Sequence, residues 1–167
     1  KAGQKGTGKW TAQVALDQVT GVYHGTTVAT NAVLTHDGAV AGMITNRGFR
    51  DIVHIGRHQR PQHYSIMQDI PWQARPFVKR RHRKVVDGRI APPHGAELEP
   101  LDEDGVRAAA RELAADGVTA IAVCFLFSYL DPTHERRAAE IVADELPGIF
   151  VTASADVLVA RIASART

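Results

Sequence analysis

The chain is poor in cysteine (one), poor in aromatic residues (6%) and close to charge balance (+2) over 167 residues. A single cysteine excludes an internal disulfide framework. Cys124 also sits inside the apolar run Ala120-Ile121-Ala122-Val123-Cys124-Phe125-Leu126-Phe127, so an inert core thiol in a reducing, cytoplasmic setting is expected. No apolar run is longer, and this one falls far short of the roughly 18 to 20 residues that span a bilayer, so no membrane segment is expected. The near-zero net charge points to no particular charged partner. The opening Lys1 to Lys9 is polar and glycine-rich, unlike a secretory signal. What remains is a globular mixture, 44% hydrophobic and 23% charged, enough for one domain with one core.

Strand and helix signals alternate along it. Val19-Thr20-Gly21-Val22-Tyr23 reads as a short strand. Thr26 or Thr27 can cap a helix through about Leu34, ended by Asp37-Gly38. Ala39 to Thr45 is apolar and reads as a second strand, followed by a short helix with Phe49, Ile52 and Val53 on one face. Residues 59–76 lose all periodicity and read as a long surface loop. Phe77 to Val86 reads as a strand, closed by the turn pair Asp87-Gly88, and Pro92-Pro93-His94-Gly95 makes a second break. Asp102 to Asp116 is the clearest helix, with acidic residues at its start and a stripe of Val106, Ala109, Ala110 and Leu113. Val118 to Phe127 reads as the central strand, Pro132/Thr133 to Leu146 as a helix and Ile149 to Thr152 as a last strand. The expected fold is α/β, a mixed or parallel sheet covered by helices.

Several motifs carry chemistry. In His24-Gly25-Thr26-Thr27-Val28-Ala29-Thr30-Asn31-Ala32 a strand ends, a glycine allows close approach, and two hydroxyls stand at a helix N-terminus. That is an anion site or an ordinary capped turn. Arg50, Asp51 and Arg57 can orient a carboxylate or phosphate, or simply pair on a solvated helix face. His54, His58 and His63 have partly metal-like spacing, but no carboxylate or cysteine completes a set, so no metal site is expected. Lys79-Arg80-Arg81-His82-Arg83-Lys84 is an unbroken basic run. Without an aromatic platform or recognition helix it reads as an exposed strand rather than a nucleic-acid site. Gly3 to Lys9 has the spacing of a phosphate loop, with Trp10 where a magnesium-binding hydroxyl belongs.

Ordered strings then carry a resemblance. His24 to Ala32 is followed by Gly48-Phe49-Arg50-Asp51-Ile52 with Ile55-Gly56-Arg57, by Leu98-Glu99-Pro100-Leu101-Asp102, and by Ala122 to Tyr129 before Pro132 and His134-Glu135-Arg136-Arg137. Together, over residues 19–155, they are similar to the N-terminal region of the hydantoinase A, 5-oxoprolinase and acetone carboxylase family. The resemblance implies part of an actin-like ATPase lobe and an enzyme that uses ATP and magnesium to activate a carbonyl oxygen, opening cyclic amides or carboxylating ketones. It also implies that His24, Gly25, Thr26, Thr27, Asn31, Arg50, Asp51 and Arg57 are substrate- or nucleotide-binding positions. The family's phosphate hairpin, approximately Asp-x-Gly-Gly-Thr-x-Thr-Asp, has no match here. The expectation is therefore a fragment that binds no cofactor alone, and whose missing ATPase domain or partner subunit lies elsewhere.

The leader, residues 1–18, resembles something else. Ala2 to Ala12, continuing to Ala15-Leu16-Asp17, is similar to a segment of 6-phosphogluconate dehydrogenase, in which Lys5, and in that reading also Lys9, would hold a phosphate. Residues 156–167, expected as a tail helix, are compatible with either family, so a fusion or graft is the expectation, and an inert folded module or a phosphosugar-binding remnant the alternative.

Overall fold

The computed structural model describes residues 26–59, 64–65 and 67–157. The strand expected at residues 19–23, the leader with Lys5 and Lys9, and most of the tail lie outside the described residues, as do His24, Gly25 and His63. The chain divides after His36 into two compact units.

Of the first unit, helix α1 (Val28–Thr35) is described. Thr27 is its N-cap, but the hydroxyl that meets the first turn is that of Thr26, which accepts the amide of Val28 at 3.3 Å. Thr35 donates its hydroxyl to the carbonyl of Asn31 (2.9 Å), and His36, at φ 59°, closes the helix.

The second unit runs through β1 (Ala41–Asn46), α2 (Ile52–Ile55), α3 (Pro71–Ala74), β2 (Arg83–Val86), β3 (Arg89–Ala91), β4 (Ala96–Glu99), α4 (Glu103–Ala115), β5 (Ala120–Val123), α5 (Thr133–Glu145) and β6 (Phe150–Ala153). Four strands form one sheet in the order β2-β1-β5-β6, and every neighbouring pair is parallel. β3 and β4 form a separate antiparallel hairpin around Pro92 to Gly95.

The helix stripes explain the packing. Val106, Ala109, Ala110 and Leu113 of α4 are buried, and so are Ala138, Ile141 and Val142 of α5. They close over Ile44, Val86, Ile121 and Val123 of the sheet, and burial of each branched aliphatic side chain contributes roughly 1.5–3 kcal/mol. Gly42 in β1 makes room for this: a Cβ there would stand 3.0 Å from both Leu113 and Val118. α4 starts where Asp102 accepts the amide of Gly105 (2.9 Å), satisfying one of the helix's orphan donors.

Two strands are shorter than the sequence suggests. β5 ends at Val123, although Cys124 still donates its amide to Ile44 (2.9 Å), because the chain then turns through Phe127 at φ 61°. Phe125 nevertheless stays 8% exposed, packed in the core. The expected strand Phe77 to Val86 exists only from Arg83. The amide of His82 closes onto the carbonyl of Lys79 (2.9 Å), winding Arg80–His82 into a 3-10 turn. The basic run is therefore not an exposed strand: His82 and Arg83 are each 2% exposed.

Candidate functional site

In a parallel sheet the C-terminal ends of the strands gather along one edge, where ligands of α/β folds bind. Here Asn46, Val86, Val123 and Ala153 end at that edge. Asn46, buried, donates its side-chain amide to the carbonyl of Gly88 (2.7 Å) and accepts the amide of Leu126 (2.7 Å). It thereby fixes the turns that follow β2 and β5. Arg47, next in sequence, forms a two-pronged ion pair with Asp87, which holds the Asp87 carboxyl below its ordinary range.

The most constrained group at this edge is Glu135, fully buried in the first turn of α5. Its Oε1 accepts the amide of Phe125 (2.7 Å) and the hydroxyl of Ser154 (2.8 Å), and its Oε2 accepts the amide of Ala155 (2.6 Å). The hydroxyls of Ser154 and Ser128 stand 3.5 Å apart. Motif reading passed over Glu135 and Asn46 as functional positions. One signal was available: Glu135 shares the face of α5 that carries Ala138 and Val142 (i+3 and i+7), where a charge has to meet buried donors.

The positions singled out from sequence are only partly brought together. Asn31 lies on α1 of the first unit and Thr26 and Thr27 just before it, with no acidic residue in the helix's first turn. In the second unit Arg50 and Asp51 line a cleft of about 430 Å³ with Phe49, Ile52 and Ile55, and Arg57 does not line it. Asp51 pairs with neither Arg50 nor Arg57. It receives Nε and a terminal nitrogen of Arg80 at 3.0 and 2.9 Å, which lowers its carboxyl from the ordinary value.

Arg57 sits in a left-handed turn, with Gly56, Arg57 and His58 all near φ 55°. Such a conformation costs a non-glycine residue roughly 1–3 kcal/mol unless its surroundings enforce it. α3 supplies that enforcement: Trp72 and Gln73 both donate to the carbonyl of His54, at 3.2 and 2.9 Å.

A second cleft, about 540 Å³, lies beside β2 and α4 and is lined by Arg50, Arg80, Arg81, Arg83, Lys84 and Glu112. Lys84 reaches Glu112 at 2.8 Å and Asp116 at 3.8 Å. Among the described residues no group of three His, Cys, Asp or Glu side chains is placed to hold a metal ion, and no helix is long and apolar enough to cross a membrane. Burial, helped by the charge of Glu135, pushes the Cys124 thiol up to about 11.

A parallel sheet carrying two packed helices, with its polar groups gathered at the strand ends, defines an α/β domain. The chain belongs to the hydantoinase/oxoprolinase family, whose N-terminal region matches residues 2–146. It is 36% identical to the acetone carboxylase beta subunit of Xanthobacter autotrophicus over 157 residues, 89% of this chain and 22% of that protein. It is 33% identical to the caprolactamase subunit alpha of Pseudomonas jessenii over 134 residues, 80% of this chain and 19% of that one. The crystal structure of the ATP-dependent caprolactamase from Pseudomonas jessenii superposes with a TM-score of 0.70 at 32% identity, over 79% of this chain and 19% of that one. The chain thus spans about a fifth of the length of these relatives. The family match takes in residues 2–18 as well, and the comparisons give the resemblance to 6-phosphogluconate dehydrogenase no support.

Proposed function

We propose that the chain works as part of the N-terminal domain of an ATP-dependent enzyme that opens cyclic amides, or of a related carboxylase subunit, and turns nothing over alone. The observation that carries this reading is the overlap of its parallel sheet and two packed helices with an ATP-dependent lactam-opening enzyme at above 30% identity. Further domains or a partner subunit complete the cleft, in keeping with the small share of each relative that the chain spans.

In this reading His24, Gly25, Thr26, Thr27 and Asn31 form an oxyanion-holding turn, where unpaired amides and the positive helix end favour negative charge. The first turn of α1 holds no carboxylate to compete. Arg50, Asp51 and Arg57 orient the substrate's polar groups. ATP with magnesium, when bound in the complete enzyme, supplies the phosphoryl group that activates a carbonyl oxygen. This chain contributes position and charge, and phosphoryl transfer requires both from every side of the phosphates.

Two assays test it. The pure chain with magnesium, ATP and 5-oxoproline should release no phosphate above a blank. Substituted for the matching portion of a caprolactamase, it should support lactam-dependent ATP hydrolysis, reduced about tenfold or more by Thr26→Ala. Magnesium-dependent turnover by the pure chain, lost in Thr26→Ala, would overturn the reading. A folded but inert hybrid would do the same.

A further inference from the structure

The basic cleft beside β2 and α4 carries charge that the fold compensates only in part. Its lining holds five cationic side chains, Arg50, Arg80, Arg81, Arg83 and Lys84, against one carboxylate, Glu112. Three of the five have carboxylate partners: Arg80 is taken up by Asp51, Lys84 by Glu112 and Asp116, and Arg83 stands 3.6 Å from Asp51. Among the described residues, Arg50 and Arg81 meet no carboxylate within ion-pair distance, and Arg81 donates only to the ring of its neighbour His82 (3.0 Å).

Arg83 is the decisive member. Its side chain is 1% exposed. Nε and one terminal nitrogen both donate to the carbonyl of Val78, at 3.0 and 2.9 Å. The other terminal nitrogen is buried without a hydrogen-bond partner. Asp51 stands 3.6 Å from it, too far for a hydrogen bond, and both Asp51 oxygens are already engaged by Arg80. Asp51 offsets the charge of Arg83 but leaves that N–H unmet, and a buried unmet donor is costly to the fold. Guanidinium groups gathered in one concavity suit an oxyanion with several acceptor oxygens.

We propose that this cleft is a binding site for a small, multiply charged phosphate ligand, taken up by Arg50 and Arg81, with the buried charge of Arg83 beneath them adding to the field. The volume is in the range of small-molecule pockets, roughly 300–1,000 Å³. The wall argues against a long polyanion: α4 presents Glu112, which would repel a strand laid across it. The site shares Arg50 with the substrate-orienting residues proposed above, and its test reads phosphate binding without ATP turnover.

The probe is inorganic pyrophosphate, titrated calorimetrically into the full chain at low salt, with ADP as a second arm. Pyrophosphate should bind saturably at one site. Equal affinity for ADP assigns recognition to the phosphates alone, and tighter ADP binding extends it to a nucleotide; both support the proposal. Because Arg83 is buried, the test rests on Arg50→Ala/Arg81→Ala, checked by an unchanged melting curve. Its affinity should fall about tenfold or more. Arg136→Ala, which removes a guanidinium outside the cleft, should leave it unchanged. Absence of saturable binding to either probe, equal affinity in the double variant, or an equal loss in Arg136→Ala would overturn the proposal. So would a short single-stranded oligonucleotide that binds more tightly than pyrophosphate and is lost in the same double variant.

Discussion

Glu135 accepts the backbone amide of Phe125 at 2.7 Å across the C-terminal end of the sheet, while its second oxygen accepts Ala155 at 2.6 Å. One carboxylate therefore joins α5 to the segments that leave β5 and β6. Glu135→Gln removes the charge and turns an amide group toward one of these donors. It should cost roughly 2–4 kcal/mol, the range for unmet buried donors and a broken buried network. Urea denaturation measures this, and a loss below about 1 kcal/mol would show that the three bonds are dispensable.

The start of α4 predicts a non-additive pair. A Cβ on Gly105 would collide with the carboxylate of Asp102, which caps the helix through the Gly105 amide. Asp102→Ala should cost about 1 kcal/mol. Gly105→Ala alone should bring little gain, because the new methyl displaces the cap. With the cap already removed, the same change should stabilise by roughly 0.5–1 kcal/mol, the usual helix preference for alanine. A double-mutant cycle decides, and strict additivity would refute the coupling.

Gly48 and Gly56 both have positive φ, 88° and 55°, yet their surroundings differ. No neighbouring atom lies within 4 Å of a Cβ at Gly48, whereas one at Gly56 would stand 2.5 Å from the indole nitrogen of Trp72. Gly48→Ala should cost about 1–2 kcal/mol from backbone strain alone. Gly56→Ala should cost a further 1–3 kcal/mol or so, because the clamp of Trp72 on His54 has to shift. Thermal melts of the two variants compare them directly; equal losses would mean that α3 does not hold this turn.

The thiol of Cys124 is raised from 9.0 to about 11 by burial and by Glu135. At pH 8 its thiolate is then scarcer by about two decades than in the unfolded chain, so a disulfide reagent should react roughly 100-fold more slowly with the native protein. The sign of the linked stability follows. The folded state keeps its proton where the unfolded state loses it, so stability declines as pH rises from 9.0 toward about 11. Fast native labelling at pH 8, unaffected by urea, would contradict the burial.

Much of the architecture was legible before any coordinates. The stripe Val106, Ala109, Ala110, Leu113 announced the buried face of α4, and the run around Val123 announced an interior strand. Both are local patterns with the periods of helix and strand, and burial merely realises them. Strand lengths were read less well. Apolar character tells that Phe125 is buried, but not that the chain has already left the sheet and turned at Phe127.

The site divides along the same line. The sequence by itself determined the family, through ordered strings such as His24 to Ala32 and Gly48 to Ile52, and determined which residue types are available to hold an anion. Only the tertiary structure decided who meets whom. Asp51 takes Arg80, 29 positions away, in preference to Arg50 beside it. Arg83 is drawn inside from the middle of a run that looked solvent-exposed, and Glu135 reaches amides 10 and 20 positions away. The reason is physical: hydrogen bonds and ion pairs depend on distances of about 3 Å, and across a fold those distances are set by how sheet and helices pack, which local sequence does not encode.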